Sequence, residues 1–249
     1  MQCRFNSGFR IPMRARCCAA ALLATAVLLP CTGLATRATP APPAPTTTPP
    51  VIAEELPDAI AEMIRIAQQE VAAAYEQKVP KSNKYSQWYF HDKREIGWCS
   101  NFVSWCADQA GLPLYKEENM EPLAEDIVFV TNEAKVERTR EAFEKAERLV
   151  EIPRPGYLII YGVLGSTNST HVGMVESVWE VSDGVYEITT LEGNVSSTVK
   201  RYCIRYLLDP PQRYHNLKAV PQDEQTRTDA QYKLHKENWY ISGFGATWL

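Results

Sequence analysis

The chain is short of the residues from which disulfide frameworks, zinc clusters and nucleic-acid surfaces are built. Four of its seven cysteines, Cys3, Cys17, Cys18 and Cys31, lie near the N-terminus, which leaves Cys99, Cys106 and Cys203 for the remainder. Three widely spaced cysteines do not make a disulfide framework. No C-x-x-C or H-x-x-x-H pairing marks a structural zinc site, so no metal or other cofactor is expected. Histidine is scarce as well: His91, His171, His215 and His235 are the four. Basic charge is lacking outside the leader. Five of the 26 Lys and Arg fall in residues 1–38 and none of the 30 acids does, leaving 21 bases against 30 acids, a balance of −9. That excludes nucleic acid or an anionic membrane as the main partner.

Nor is there an apolar run of the roughly 20 residues that span a bilayer. The longest, from Cys17 to about Pro30, follows Arg4, Arg10, Arg14 and Arg16 and is succeeded by small residues near Ala35 and Ala38. This is the three-part layout of a secretory signal peptide, read here as a cleaved leader over residues 1–38. Pro30 argues against lipid attachment at Cys31, and an uncleaved leader would be the chain's one link to a membrane. Residues 36–50, TRATPAPPAPTTTPP, carry no side chain large enough for a core. Residues 39–55 therefore read as an extended Pro/Thr spacer, suited to a secreted or wall-associated domain.

What is present from residue 56 onward is first helical and then extended. Ile60, Met63, Ile64, Ala67, Val71 and Ala74 trace one apolar face of a helix over about 58–77. In GWCSNFVSWCADQAGLP, residues 97–113, Cys99, Phe102, Val103, Cys106 and Ala110 share a helical face, and Gly111 and Pro113 end it. A charged helix over about 132–149 reads as a solvated face without functional weight. Four strands follow, at 157–162, 170–181, 185–193 and 199–208, joined by short turns as in an antiparallel meander. The fold class is α+β, with the helices packed on one face of an antiparallel sheet. The main domain is read as 56–215, and residues 216–249 as a C-terminal extension without assignable chemistry.

Seven helical positions separate the Cα atoms of Cys99 and Cys106 by about 10 Å, beyond the ~7 Å limit for a disulfide. Cys99 stands at the helix start, where unpaired N–H groups and the dipole favour a thiolate. Cys106, two turns inside, reads as core. On the helix alone Cys99 is either a nucleophile or a packed thiol. His171 opens the strand THVGMV, and Gly173 on the same face leaves room beside the imidazole. LEGN, residues 191–194, ends the next strand and brings Glu192 and Asn194 within reach of His171, although EGN is also ordinary turn sequence. His91, His215 and His235 read as solvated. Cys203 alternates with Arg201 and Arg205 and reads as lying on the more polar face of its strand.

In this order the segments WCSNFVSWCADQAG, PGYLIIY, HVGMVESV and LEGN, with IAQQEVAAAYE and NKYSQWY upstream, resemble the CHAP family of cysteine, histidine-dependent amidohydrolases and peptidases. The resemblance spans roughly residues 58–208. It implies a papain-like fold, Cys99 as nucleophile, His171 as base and Glu192 as orienting group with Asn194 close by. Tyr157 departs from the Asp that family members usually carry there. The resemblance further implies peptidoglycan as partner and substrate, attacked by a monomeric exported enzyme, with Tyr85, Trp88 and Trp98 as residues that line the substrate groove. A non-catalytic wall-binding module of the same fold and a secreted peptidase acting on proteins are the competing readings.

Overall fold

The helix that begins at Cys99 is the element around which the others are laid, and its sequence explains why. In the computed structural model, which describes residues 55–74, 79–208, 216–225 and 230–249, it runs Cys99–Gln109 and is the third of four α-helices. Cys99, Phe102, Val103, Cys106 and Ala107 are buried as the spacing requires, but so are Ser100, Asn101 and Ser104. The helix is thus enclosed on nearly all sides rather than along one stripe. It ends through Gly111, whose positive φ of 74° allows the turn. The helices before it are α1 (Asp58–Ala74) and α2 (Lys84–Phe90), with the central one α3. Ile60, Met63, Ile64 and Ala67 of α1 are buried, and the expected last turn of that helix lies outside the described residues. Asn83 caps α2 in a full capping box with Ser86.

Two short strands, β1 (Leu114–Tyr115) and β2 (Val130–Thr131), pair in parallel and lead to α4 (Val136–Lys145) and β3 (Leu149–Val150). The expected meander follows as β4 (Leu158–Val163), β5 (Ser169–Ser182), β6 (Val185–Glu192) and β7 (Lys200–Leu207), each antiparallel to the next. Residues 216–249 supply β8 (Leu217–Ala219) and β9 (Trp239–Gly245) to the same seven-stranded sheet, whose order is β3-β9-β4-β5-β6-β7-β8. The last strand is therefore interior, hydrogen-bonded to β3 on one side and β4 on the other. Between β8 and β9 the chain touches the other end of the sheet, where Gln231 exchanges backbone hydrogen bonds with Arg201 and Cys203 of β7. Among the described residues no helix is long and apolar enough to cross a membrane. The leader and most of the spacer read from the sequence, and His215, lie outside the described residues.

The tail also explains Tyr157. The ring is buried and meets the C-terminal Trp248 edge-on at 5.8 Å, while Trp248 donates its indole N–H to Pro155 O. An aromatic contact therefore stands where the family usually has a carboxylate. Cys203 is fully buried, and its thiol donates to Glu187 at 3.3 Å. The polar face of β7 is covered by the tail rather than solvated, as Arg205 also pairs with Glu224. None of Cys99, Cys106 and Cys203 is in a disulfide.

Cys106 has no exposed surface, and burial pushes its thiol well above the usual range, so it is an inert packing group. Cys106→Ala is expected to lower unfolding free energy by about 1–2 kcal/mol through the space left behind. Alkylation kinetics of Cys99 should stay unchanged, which denaturant titration and mass spectrometry of the labelled chain check together.

Candidate active site

Three elements bring three chemistry-bearing side chains together. The start of α3 carries Cys99, β5 carries His171 and the end of β6 carries Glu192. Trp98, at the N-cap position, offers no side-chain hydrogen bond, so the first turn of α3 keeps its unpaired N–H groups facing the thiol. The thiol adjoins the imidazole of His171, close enough for each to shift the other's titration. On the far side of the ring, His171 Nε2 lies 2.8 Å from Glu192 Oε2. Because that contact uses Nε2–H, Nδ1 is the nitrogen left for the sulfur.

The strand register makes this meeting possible. His171 pairs with Tyr161 of β4, and Met174 pairs with Leu191, which places Gly173 opposite Glu192. A methyl group at Gly173 would stand 2.6 Å from Glu192 Cγ, so the bare backbone is what lets the carboxylate lie against β5. Gly193 is needed for a similar reason on the other side. Its Cβ would meet Phe102 of α3 at 2.5 Å and the Trp98 ring at 2.9 Å. LEGN is therefore a carboxylate, a point of close approach for the central helix, and a turn residue, Asn194, at φ 63°.

Glu192 has no exposed surface and is surrounded by donors. Oε1 accepts from Tyr161 Oη at 2.9 Å and Thr190 Oγ1 at 2.5 Å. Oε2 faces two imidazoles, His171 and, also at 2.8 Å, His235 Nε2. The His235 side chain is 4% exposed, so the solvated histidine expected at this position is instead part of the site. Its surroundings are aromatic: ring centroids of Tyr202, Trp239 and Tyr161 lie 4.2, 5.2 and 5.3 Å away.

The electrostatics follow from burial and these contacts. Burial pushes the Cys99 thiol up, but the hydrogen bond and charge of His171, helped by the backbone at Val172 and Ser100, outweigh it and hold the thiol below its usual range. Burial also opposes the charge on His171, yet its contacts with Cys99 and Glu192 prevail and raise it to about 10. For Glu192 burial again favours the neutral form, and the two imidazoles, His235 and His171, hold it well below the usual carboxylate range. The arrangement is a thiolate–imidazolium pair backed by a carboxylate.

His171, Glu192 and His235 are also the set, among the described residues, whose ligand atoms converge as in a metal site, within 4.8 Å of one another. The two separations of 2.8 Å are hydrogen-bond distances, whereas bonds of 2.0–2.2 Å around tetrahedral zinc hold neighbouring ligands about 3.3 Å apart. The set is a buried carboxylate between two imidazoles, hydrogen-bonded to His171 and at ion-pair distance from His235.

The thiol opens onto a groove of about 660 Å³. Cys99, His171 and Asn194 line it together with Lys135, Val136, Glu137, Arg138 and Glu141, from the start and along α4. The charged helix thus faces the site, and Glu137 accepts a hydrogen bond from the Ser169 N–H at the start of β5. Asn194 lines the groove beside Gly97, its Nδ2 3.4 Å from where a Cβ on that glycine would be. The aromatics expected to line the groove are placed otherwise. Tyr85 and Trp98 are buried and stacked with centroids 5.1 Å apart, Phe102 and Trp105 meet Tyr85 edge-on, and Trp88 is half-buried on α2. They support the N-terminal end of α3 from behind, because rings of this size gain more from packing than from a solvated wall.

Sequence reasoning missed Thr190, Tyr161, Trp239, His235 and α4. Thr190 precedes Glu192 by two residues on one strand face, and Tyr161 is the partner of His171 in the neighbouring strand, so a period of two would have found both. His235 and Trp239 gave no local signal, since only the return of the tail brings them in.

The pair is reactive above the pKa of Cys99 and below that of His171, so its window opens below the ordinary thiol range, near 8.5 for a free thiol, and closes near about 10. Iodoacetamide should therefore label Cys99 at a pH below that of a free thiol. Gly173→Ala, which displaces Glu192, is expected to move that profile back towards the free thiol while the far-ultraviolet circular dichroism stays unchanged.

Residues 90–194 match the family model described as CHAP domain, a segment that includes Cys99, His171, Glu192 and Asn194 and stops before the tail. No curated protein matches the chain, and no solved structure does. The four segments, the α+β architecture and this match agree: the chain carries a CHAP domain, the domain of a family of amidase- and peptidase-type hydrolases.

Proposed function

We propose that the protein is an exported cysteine amidohydrolase or endopeptidase that cleaves amide bonds of peptidoglycan, with Cys99 as nucleophile, His171 as general base and acid, and Glu192 as orienting group. One observation carries the reading: a thiol at an uncapped helix N-terminus, beside a buried histidine whose Nε2 is held by a buried carboxylate. The target is supported by the family and by the layout of the N-terminus, a leader over residues 1–38 followed by a Pro/Thr spacer over 39–55. That layout suits an enzyme secreted to, or associated with, the wall and working as a monomer without a cofactor.

The chemistry follows from the positions. The Cys99 thiolate attacks the amide carbonyl carbon, and a C–S bond forms as the carbonyl electron pair moves onto oxygen. The backbone N–H of Cys99, at the positive end of α3, stabilises that oxyanion. As the oxyanion collapses the C–N bond breaks, and the imidazolium of His171 gives its proton to the leaving amine. Water, losing a proton to His171, then attacks the thioester, the C–S bond breaks, and the carboxylic acid leaves with the thiolate restored. Throughout, Glu192 holds Nε2–H and so keeps Nδ1 aimed at the sulfur. The charged wall of α4, with Lys135, Glu137, Arg138 and Glu141 of both signs, suits a peptide that itself bears carboxylates and amines.

Zymography on purified cell walls tests the assignment, with the parent chain expected to clear and Cys99→Ala to lose clearing by at least a hundredfold. Equal clearing by both, or clearing by neither, would overturn it, the second outcome pointing to a wall-binding module. Mass spectrometry of the released fragments should show new amine and carboxyl ends, at the muramic acid–L-Ala amide or within the stem or cross-bridge.

A further inference from the structure

Glu192 presents one oxygen, Oε2, to two histidines, and the catalytic reading uses only one of them. Its other oxygen is occupied by Tyr161 and Thr190. His235 Nε2 lies 2.8 Å from Oε2, as close as His171 Nε2, but the ring is turned so that no straight hydrogen bond forms. The same nitrogen is buried and has no other partner among the described residues. A buried polar atom without a partner costs about 1–3 kcal/mol, so a ring held in that position has its proton directed at Glu192 or at nothing.

The ring is held from two sides of the sheet. Four residues before it, Gln231 is hydrogen-bonded to β7, and four residues after it, Trp239 begins β9 beside β4. Tyr202 at 4.2 Å and Trp239 at 5.2 Å pack against the imidazole. The tail therefore delivers one imidazole to the back of the site from outside the matched segment, which ends at residue 194.

We infer that His235 is a positioning residue for the reaction proposed above: its Nε2–H, set against Glu192 Oε2 beside His171, keeps the carboxylate ionised and aimed at the catalytic imidazole. The inference rests on that catalytic reading. The ionisable groups around His235 are Tyr161 from β4, His171 from β5, Glu192 from β6 and Tyr202 from β7, with Cys99 of α3 on the far side of His171 and Lys236 adjacent in sequence and over the Trp239 ring. An N–H this close to Oε2, even off the line of a hydrogen bond, favours every deprotonated form within reach. Removing it raises the pKa of Glu192, and by the same sign those of His171 and Cys99. The whole reactive window then moves towards higher pH. Because His235 lies behind Glu192 and away from the groove, wall binding is untouched.

Two substitutions separate positioning from packing. His235→Phe keeps an aromatic ring between Tyr202 and Trp239 but has no N–H, whereas His235→Gln restores an N–H at the same reach. The full chain is measured for Cys99 alkylation by iodoacetamide against pH, for maximal clearing rate and half-saturating wall concentration, and for thermal unfolding. In His235→Phe the acid limb of alkylation is expected to move up by about one pH unit and the maximal rate to fall about tenfold, with half-saturation unchanged. His235→Gln should recover most of both. A His235→Phe variant with the parent profile and rate overturns the inference. So does an equal loss in both variants that follows a lowered melting temperature, which would make the ring a core filler. Failure of the catalytic reading looks different: the parent's own Cys99 would then alkylate as an ordinary thiol, or Cys99→Ala would still clear walls.

Discussion

A carboxylate with no access to water can stay charged only if the protein surrounds it with donors, and Glu192 imposes that demand on the rest of the structure. An uncompensated buried ion costs several kcal/mol. Here β4 supplies Tyr161, β5 supplies His171, β6 itself supplies Thr190, and the tail supplies His235. Tyr161, His171 and Thr190 are fixed by strand pairing, and His235 by the segment between the Gln231 bridge and β9, so the carboxylate has one orientation. That orientation sets the tautomer of His171, and the tautomer sets which nitrogen meets the sulfur.

The same constraint accounts for the two glycines of the site. Gly173 and Gly193 stand where any side chain would strike Glu192 or the central helix, at 2.6 and 2.5 Å. The sheet and α3 are thereby brought close enough for a helix N-terminus to lie over the edge of a histidine-bearing strand. The aromatic cluster of Tyr85, Trp98, Phe102 and Trp105 holds the helix in that place from the opposite side. Mutations in that cluster would act on the thiol through the position of α3, without any contact to a substrate.

How much of this was legible follows from the range of each signal. Helical spacing separated Cys99 from Cys106, because 3.6 residues per turn and 1.5 Å per residue are properties of the backbone alone. The meander was legible for the same reason: short apolar runs between turn residues pair with their neighbours at little entropic cost. Glu192 and Asn194 were not distinguishable as partners of His171, since both fall at the end of one strand. The register decided it, with Gly173 opposite Glu192 and Asn194 turned into the groove at a positive φ. Tyr85 and Trp98 looked like a groove and proved to be core, because sequence shows that a ring is present but not which side of it faces water.

The tail marks the boundary between the two kinds of information. From residue 216 on, polar composition and isolated aromatics gave neither an element nor a role, yet β9 is an interior strand and His235 touches the buried carboxylate. By itself the sequence determined the helix with its thiol at the start, the order of the four strands and the Cys, His and Glu on which the proposed function rests. All of these are carried by local periodicity and by segments in chain order. Only the tertiary structure decided that α4 walls the groove, that Glu192 is the carboxylate behind His171, and that His235 stands beside it. Those contacts join residues 21 to 43 positions apart in sequence or more, as His171 to Glu192 and Glu192 to His235, and no local pattern encodes such a meeting.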